Sequence, residues 1–411
     1  MKEVLDRALR VQDIDLCDHC LGRLFAQVGT GTTNLNRGQE LRALIDQDRA
    51  SRGLGPMRHT RCSVCAELFD QVPRFAGAVA LKLQEVEYDN FLVGTRVDPV
   101  VQAREERLWS IVGQEHAEPI KSELNREIGK AVSALNGKEV EFKNPQVVAL
   151  VDTRFAHVEL DVAPLFIYGR YRKLSREIPQ TKWPCRACQG KGCPRCANTG
   201  KMYATSVQEQ IGDVLLPYAK AKEHFFHGMG REDIDALMLG TGRPFVIELS
   251  SPVIRHLDLP ALEREINERG KGLVEVEGLR PSDREEVRRV KNATPEKEYR
   301  AQVAIHGKVN KERVDEVLRT FNRTRIVQRT PVRVAHRRAD LERERHIVYV
   351  VLEDFQGDRM TLRLRTESGT YVKEFVHGDQ GRTQPNLSEM LGVPCTVEAL
   401  DVIGVIDSSE G

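Results

Sequence analysis

The chain has 411 residues, 40% of them apolar and 30% charged, and its 62 basic and 61 acidic residues leave a formal net charge of +1. That length implies roughly two to four domains, and the composition excludes a disordered or low-complexity protein. No run approaches the ~20 apolar residues of a membrane span, and near-neutrality means that any contact with a polyanion must come from local clusters.

The first residues, MKEVLDRALRVQDIDLC, carry acids where a signal peptide would be apolar, so a cytoplasmic location is expected, without membrane association. Eight of the nine cysteines then fall into pairs with two residues between them: Cys17/Cys20, Cys62/Cys65, Cys185/Cys188 and Cys193/Cys196. This spacing lets one turn present two sulfurs to a tetrahedral ion, and two such turns complete a four-sulfur site. Reduced cytosolic thiols favour zinc over disulfides. Up to two structural zinc ions are therefore expected. Neither site reads as catalytic, because four thiolates leave no coordination position for water. Cys395, in an apolar stretch, reads as a small core residue.

From Glu118 to Asn136 the apolar stripe Ile120, Leu124, Ile128, Val132 and Leu135 predicts an amphipathic helix, begun at Pro119 and stopped by Gly137. Strand-formers follow in NPQVVALVDTRFAHVELDVAPLFIYG, which predicts a small α/β module over about 75–170 behind an N-terminal zinc segment at 1–74. Next comes a basic and aromatic knot, YGRYRKLSREIPQTKW, with Arg170, Arg172, Lys173, Arg176 and Lys182 between Tyr168, Tyr171 and Trp183, opposed only by Glu177. Cations beside rings suit RNA, since charge meets phosphate while rings stack on unpaired bases. The second cysteine site, CRACQGKGCPRCANTG, reads as a zinc knuckle within 184–203, its Gly190, Gly192 and Gly200 allowing tight turns. The piece CRACQGKG resembles the cysteine repeats of DnaJ-type chaperones, but the chain lacks the further repeats and the His-Pro-Asp hairpin of that family.

Ser206 with Glu209 forms a capping box that starts a helix through Val207, Ile211, Val214 and Leu215. The glycine-rich segment FFHGMGREDIDALMLGTGRPFVIEL, Phe225 to Leu249, reads as a polar loop feeding a strand from Pro244. A second basic cluster holds Arg319, Arg323, Arg325, Arg329, Arg333, Arg337, Arg338, Arg343 and Arg345 against Asp340, Glu342 and Glu344. HIVYVVLEDF and RMTLRLRTE are strand-like, the latter alternating Met360, Leu362 and Leu364 with Arg363 and Arg365. The half from 171 to 411 thus reads as α+β with a mixed, largely antiparallel sheet. Neither a P-loop nor a dinucleotide fingerprint is present, and no organic cofactor is expected.

An aspartate in a glycine-flanked loop beside a buried strand is a plausible nucleophile, and equally a turn residue. Three segments decide between these. Gly230 to Ala236, GREDIDA, resembles the G-x-x-D-x-x-(A/T/V) loop of pseudouridine synthases, with Asp233 on the nucleophile. In KEYRA, Tyr299 matches the tyrosine that packs on the target base in that superfamily, and in SGTYVKEFVHGDQG, Lys373 falls where a basic residue pairs with the catalytic aspartate. The wording GREDIDALMLGTGRPFVIEL, TPVRVAHRRAD and GTYVKEFVHGDQGRTQPNL is similar to the archaeal and eukaryotic tRNA pseudouridine synthases of the tenth Pus class, which act on T-loop uridines. The likeness covers about 165–411, and the cysteine pairs followed by a THUMP-related module fit the accessory half of that family.

The resemblance implies an isomerase that binds tRNA as a monomer and flips a uridine onto Tyr299. Asp233 would attack the sugar or the base, the glycosidic bond would break, and the uracil would turn and rejoin through carbon, at the position numbered 54, 55 or both. Lys373 would hold Asp233 ionised, although the family usually carries arginine there and the lysine loses bidentate geometry. Asp235 competes with Asp233 but lies off the Gly230 spacing. Arg231 and Arg243 would grip phosphates or brace the loop, and Arg170, Arg172, Lys173, Arg337 and Arg338 are further candidate RNA contacts. Competing readings are a non-catalytic zinc-dependent RNA-binding protein and another THUMP-type tRNA modifier.

Overall fold

A computed structural model describes residues 2–58, 60–335 and 339–406, which form two compact units, 1–163 with 251–255, and 164–250 with 256–411. The first unit runs α1 (Lys2–Ala8), α2 (Asp18–Arg23), α3 (Asn34–Ser51), α4 (Val72–Leu83), β1 (Asn90–Arg96), α5 (Pro99–Val112), α6 (Ile120–Asn136), β2 (Glu139–Val140), β3 (Val147–Asp152) and β4 (His157–Val162). Its sheet has the order β2-β1-β3-β4, parallel except between β3 and β4.

The helix read from 118 to 136 is α6, with Ile120, Leu124, Ile128 and Val132 fully buried and Gly137 closing it in the left-handed conformation. Helices α2 and α3 touch backbone to backbone, because a Cβ on Gly22 would lie 1.8 Å from the Asn34 carbonyl oxygen and one on Gly38 equally close to that of Asp18. One apolar core runs from Ala8 to Val158, so the cysteine-bearing segment and the α/β module share an interior. The expected 74/75 boundary accordingly falls inside α4.

The second unit runs β5 (Leu165–Lys173), α7 (Val207–Ala219), β6 (Glu223–Gly228), β7 (Leu237–Ser250), α8 (Leu259–Arg269), β8 (Val274–Ser282), α9 (Arg284–Asn292), β9 (Glu296–Ile305), α10 (Lys311–Thr320), β10 (Thr324–Arg329), β11 (Glu342–Phe355), β12 (Arg359–Thr366), α11 (Val372–His377), β13 (Thr383–Gln384), α12 (Leu387–Leu391) and β14 (Cys395–Ile406). Its ten-stranded sheet has the order β13-β10-β11-β12-β9-β14-β7-β5-β8, with β6 on β7, and every pairing is antiparallel except β14 with β7. This is the mixed, largely antiparallel α+β architecture expected from the sequence.

Two apolar cores flank that parallel joint, and Tyr299 packs against both. Ser206 caps α7 by accepting from the Glu209 amide, and in β12 Met360, Leu362 and Leu364 are buried as the alternation required. Strand β5 pairs on both edges, with β7 and with β8. Of the strand run expected to end the module at 170, β3 and β4 stay in the first sheet and the last strand, β5, is therefore part of this second sheet.

Candidate active site

The hairpin of β6 and β7 is joined by residues 229–236, and β7 starts where Leu237 meets Asp401 of β14, at the joint between the two cores. Gly230 opens this loop with φ +79, and a Cβ there would come within 3.1 Å of an Arg243 guanidinium nitrogen. The conformation and the crowding both require glycine.

Alternation along the loop points Glu232 inward and Asp233 outward: the Glu232 side chain is 1% exposed and that of Asp233 is 46% exposed. Glu232 accepts from the Tyr171 hydroxyl at 2.9 Å and from Arg243 Nε at 3.0 Å, while Arg243 also donates to the Met229 carbonyl at 2.7 Å. Gln180 donates to Tyr171 Oη and to the Gly230 carbonyl. Lys173, fully buried, donates to the carbonyls of Ser175, Ile178 and Ile234. Arg176 reaches the Asp235 carbonyl and Asp401. A buried hydrogen-bonded ion pair and a ring of satisfied carbonyls thus fix the loop backbone from below, so the Asp233 carboxylate is held out on a rigid support.

Above the loop, Arg333 donates to Asp233 Oδ2 at 3.2 Å and, through Nε, to Glu374 at 2.7 Å; the Glu374 side chain is 1% exposed. Lys373 Nζ lies 2.9 Å from Asp235 and 3.8 Å from Asp233. The cation in hydrogen-bond contact with Asp233 is thus Arg333, with Lys373 shared toward Asp235. Desolvation alone would raise the Asp235 carboxyl, but Lys373 outweighs it and holds it low. Lys373 is positioned by the start of α11, where buried Gln328 both donates to the Tyr371 carbonyl and accepts from its amide.

Glu232, Asp233, Arg243, Arg333 and Lys373 line a cavity of about 580 Å³ together with Lys297 and Tyr299. Tyr299 enters from β9, opposite Leu364 on one side and Val402 on the other, and burial pushes its hydroxyl up to about 12, so it faces the cavity as a neutral ring. Burial, reinforced by Arg243, pulls Lys297 down to about 8. Its ammonium donates to Ser368 Oγ at 3.3 Å.

The candidate RNA contacts divide sharply. Arg231 is exposed, lines the cavity, and stacks 4.8 Å from the Trp183 ring centroid. Arg243 and Lys173 are internal, which makes both of them braces of the loop. Arg170 donates to the carbonyls of Thr241 and Gly242, and Arg172 pairs with Glu275 and Glu277. Arg337 and Arg338 lie outside the described residues. Sequence reasoning passed over Glu232, Lys297 and Glu374, and counted Arg333 only as one of nine arginines; its place in the run TPVRVAHRRAD was the available signal.

Both cysteine tetrads assemble. The sulfurs of Cys17, Cys20, Cys62 and Cys65, and separately those of Cys185, Cys188, Cys193 and Cys196, lie within 4.8 Å of one another. Separations of 3.5 Å for Cys17–Cys65 and 3.7 Å for Cys193–Cys196 suit four thiolates at ~2.3 Å from one tetrahedral ion. In the first tetrad burial drives the Cys20 thiol up, while hydrogen bonds from Cys17, Cys20 and Cys65 drive Cys62 down. In the second, the Cys193 and Gly200 amides donate to Cys196 Sγ at 3.3 and 3.2 Å, a pattern that favours a thiolate there. Both donor sets fit a metal ion, and no helix among the described residues is long and apolar enough to cross a membrane.

Residues 166–406 match the family described as "Pus10, C-terminal", and residues 75–152 match "Pus10 THUMP domain, archaeal". The chain is 42% identical over 432 residues to the tRNA pseudouridine synthase Pus10 of Methanothrix thermoacetophila, covering 98% of this chain and 94% of that one. It is 43% identical over 411 residues to the protein of the same name from Methanothermobacter marburgensis, covering 98% of each. Against the one from Pyrococcus furiosus it is 36% identical over 412 residues, covering 99% of each.

Proposed function

Since this chain belongs to the Pus10 family of tRNA pseudouridine synthases, we propose that it isomerises T-loop uridines of tRNA, at position 54, 55 or both, with Asp233 as the nucleophile. The observation that carries this reading is the presentation of one exposed carboxylate, Asp233, at a cavity of about 580 Å³, between two cations and a neutral tyrosine ring.

The chemistry asks for little else. Pseudouridine is an isomer of uridine: the bond from C1′ to N1 breaks, one from C1′ to C5 forms, C5 loses a proton and N1 gains one. No oxidant, phosphate donor or methyl donor enters. A carboxylate must be ionised to attack, and Arg333 and Lys373 place two cations beside Asp233. Attack at the sugar and attack at the base are both compatible with this arrangement. The target base must leave its stack, at a cost of a few kcal/mol, and the face of Tyr299 offers it an aromatic surface in the cavity.

The reading carries tRNA as partner, a single chain as the active unit and the cytoplasm as compartment. Zinc in both cysteine tetrads would act structurally, tying α2 to the segment around Cys62 and closing the knuckle. The direct test incubates unmodified tRNA with the protein alone and maps pseudouridine at positions 54 and 55. New pseudouridine at either supports the proposal; its absence from both, with the protein folded and tRNA bound, overturns it.

A further inference from the structure

The basic and aromatic knot from Tyr168 to Trp183 turns largely inward. Tyr171 and Lys173 are buried, Arg172 and Arg176 are ion-paired, and Tyr168 lies under the guanidinium of Arg280 at 4.1 Å. The unpaired positive charge lies in the next segment. Between Glu177 and Glu209 the chain contains no acid, yet it contains Lys182, Arg186, Lys191, Arg195 and Lys201. Lys201 pairs with Glu209 at 2.7 Å. Arg186, Lys191 and Arg195 are exposed, and among the described residues their side chains have no hydrogen-bond or ion-pair partner.

Some exposed arginines are paired, Arg313 with Glu316, Arg329 with Asp340, Arg359 with Glu398 and Arg363 with Glu298, and others, such as Arg104, Arg284 and Arg319, are not paired among the described residues; in the knuckle three such cations fall between Arg186 and Arg195 with no acid among them. The three cations ride on the four-cysteine knuckle, and the segment stays positive even against the double negative charge of four thiolates on a divalent ion. Arg186 and Arg195 also line a cleft of about 660 Å³ beside Met202 and Tyr203. At the neck of the knuckle the Met202 amide donates to the Trp183 carbonyl, and the Trp183 ring meets Tyr203 edge-on at 5.6 Å. The same ring also carries Arg231 of the Asp233 loop. The knuckle is therefore joined, through one aromatic contact, to the loop that presents the nucleophile.

We propose that the knuckle is a docking site for the tRNA backbone, with Arg186, Lys191 and Arg195 each taking a phosphate on RNA whose target base occupies the Asp233 cavity. This rests on the reading of the chain as a tRNA enzyme. Each neutralised phosphate releases counterions, so three contacts contribute about 2–3 to the slope of log Kd against log salt.

The test compares the intact protein with the triple variant Arg186→Gln, Lys191→Gln, Arg195→Gln, titrating an unmodified tRNA transcript at several salt concentrations. The control is Lys82→Gln, Arg313→Gln, Arg359→Gln, which removes the same charge from paired sites. The knuckle variant should bind at least tenfold more weakly at low salt, with its slope reduced by about 2–3, while the control keeps the parental slope. Amine-reactive labelling of the unsubstituted protein gives an independent readout, with Lys191 shielded when tRNA is bound. Parental affinity and slope in the knuckle variant, or equal labelling of Lys191 with and without tRNA, would overturn the assignment. Failure of the unsubstituted protein to bind tRNA would instead sink the functional reading on which it rests.

Discussion

Replacing Glu232 by glutamine removes the carboxylate that pairs with the Arg243 guanidinium inside the second unit. Both side chains are 1% exposed, the carboxylate accepts from Arg243 Nε at 3.0 Å, and Tyr171 donates to it at 2.9 Å. The substitution keeps shape and most hydrogen-bonding capacity but leaves a buried cation without its counter-charge. Breaking one side of a buried pair costs about 3–5 kcal/mol, whereas an exposed pair contributes about 0–1 kcal/mol. Asp235→Asn, at the 67% exposed partner of Lys373, is the matched control. For a unit of this size each kcal/mol moves the melting temperature by about 2–4 °C, so Glu232→Gln should melt roughly 6–20 °C lower and Asp235→Asn within a few degrees of the parent. Urea unfolding followed by circular dichroism gives the free energies directly. The apolar double variant Glu232→Leu, Arg243→Met should recover most of the loss, because it removes the uncompensated charge as well as the pair. A Glu232→Gln protein within 1 kcal/mol of the parent would refute the claim that this pair holds the loop.

Arg333→Met should depress pseudouridine formation more than Lys373→Met, because Arg333 lies 3.2 Å from Asp233 and Lys373 3.8 Å; equal losses would contradict this order. The Lys297 amine, pulled down to about 8, loses its proton in the folded chain while the unfolded chain keeps it to about 10.4. Between those values the unfolded state binds more protons, so the stability of the parent relative to Lys297→Met should rise with pH across that window; a pH-independent difference in urea midpoints would contradict it. Elemental analysis should find two zinc ions per chain. Chelation should unfold the first unit, since Cys17, Cys20, Cys62 and Cys65 lie in its core and structural zinc contributes about 10–16 kcal/mol; one ion per chain, or chelation without unfolding, would contradict the paired sites.

What could be read from sequence was local. The cysteine spacings, the stripe of α6, the Ser206 cap and the alternation of β12 each depend on neighbours within a few residues, and the structure assembles them as expected except at Leu135, which ends the stripe of α6 exposed. Asp233, Tyr299 and Lys373 lie far apart in the chain, but a motif marked each of them, and the sheet brings them to one cavity. The missed features depend on partners distant in the chain. Lys173 looked like a surface cation until β5 proved to be paired on both edges, which turns it into the body of the unit. Glu232 stood one residue from Asp233, but its partner Arg243 lies across the hairpin. Arg333 was counted with eight other arginines in its cluster until the chain between β10 and β11 set it against Asp233. In the same way, counting charge by segment marked the knot, where Arg170, Arg172, Lys173 and Arg176 are satisfied, and passed over the knuckle, where Arg186, Lys191 and Arg195 are not.

The central claim concerns which carboxylate reacts, and Asp233→Asn and Asp235→Asn measured side by side test it most directly. With each protein in excess over unmodified tRNA, pseudouridine in the T-loop is mapped after a single round, alongside the affinity for tRNA. The account predicts that Asp233→Asn binds tRNA like the parent and forms no detectable pseudouridine, while Asp235→Asn, which loses one exposed ion pair, keeps its rate within about tenfold. Turnover by Asp233→Asn, or its loss in Asp235→Asn alone, would contradict it.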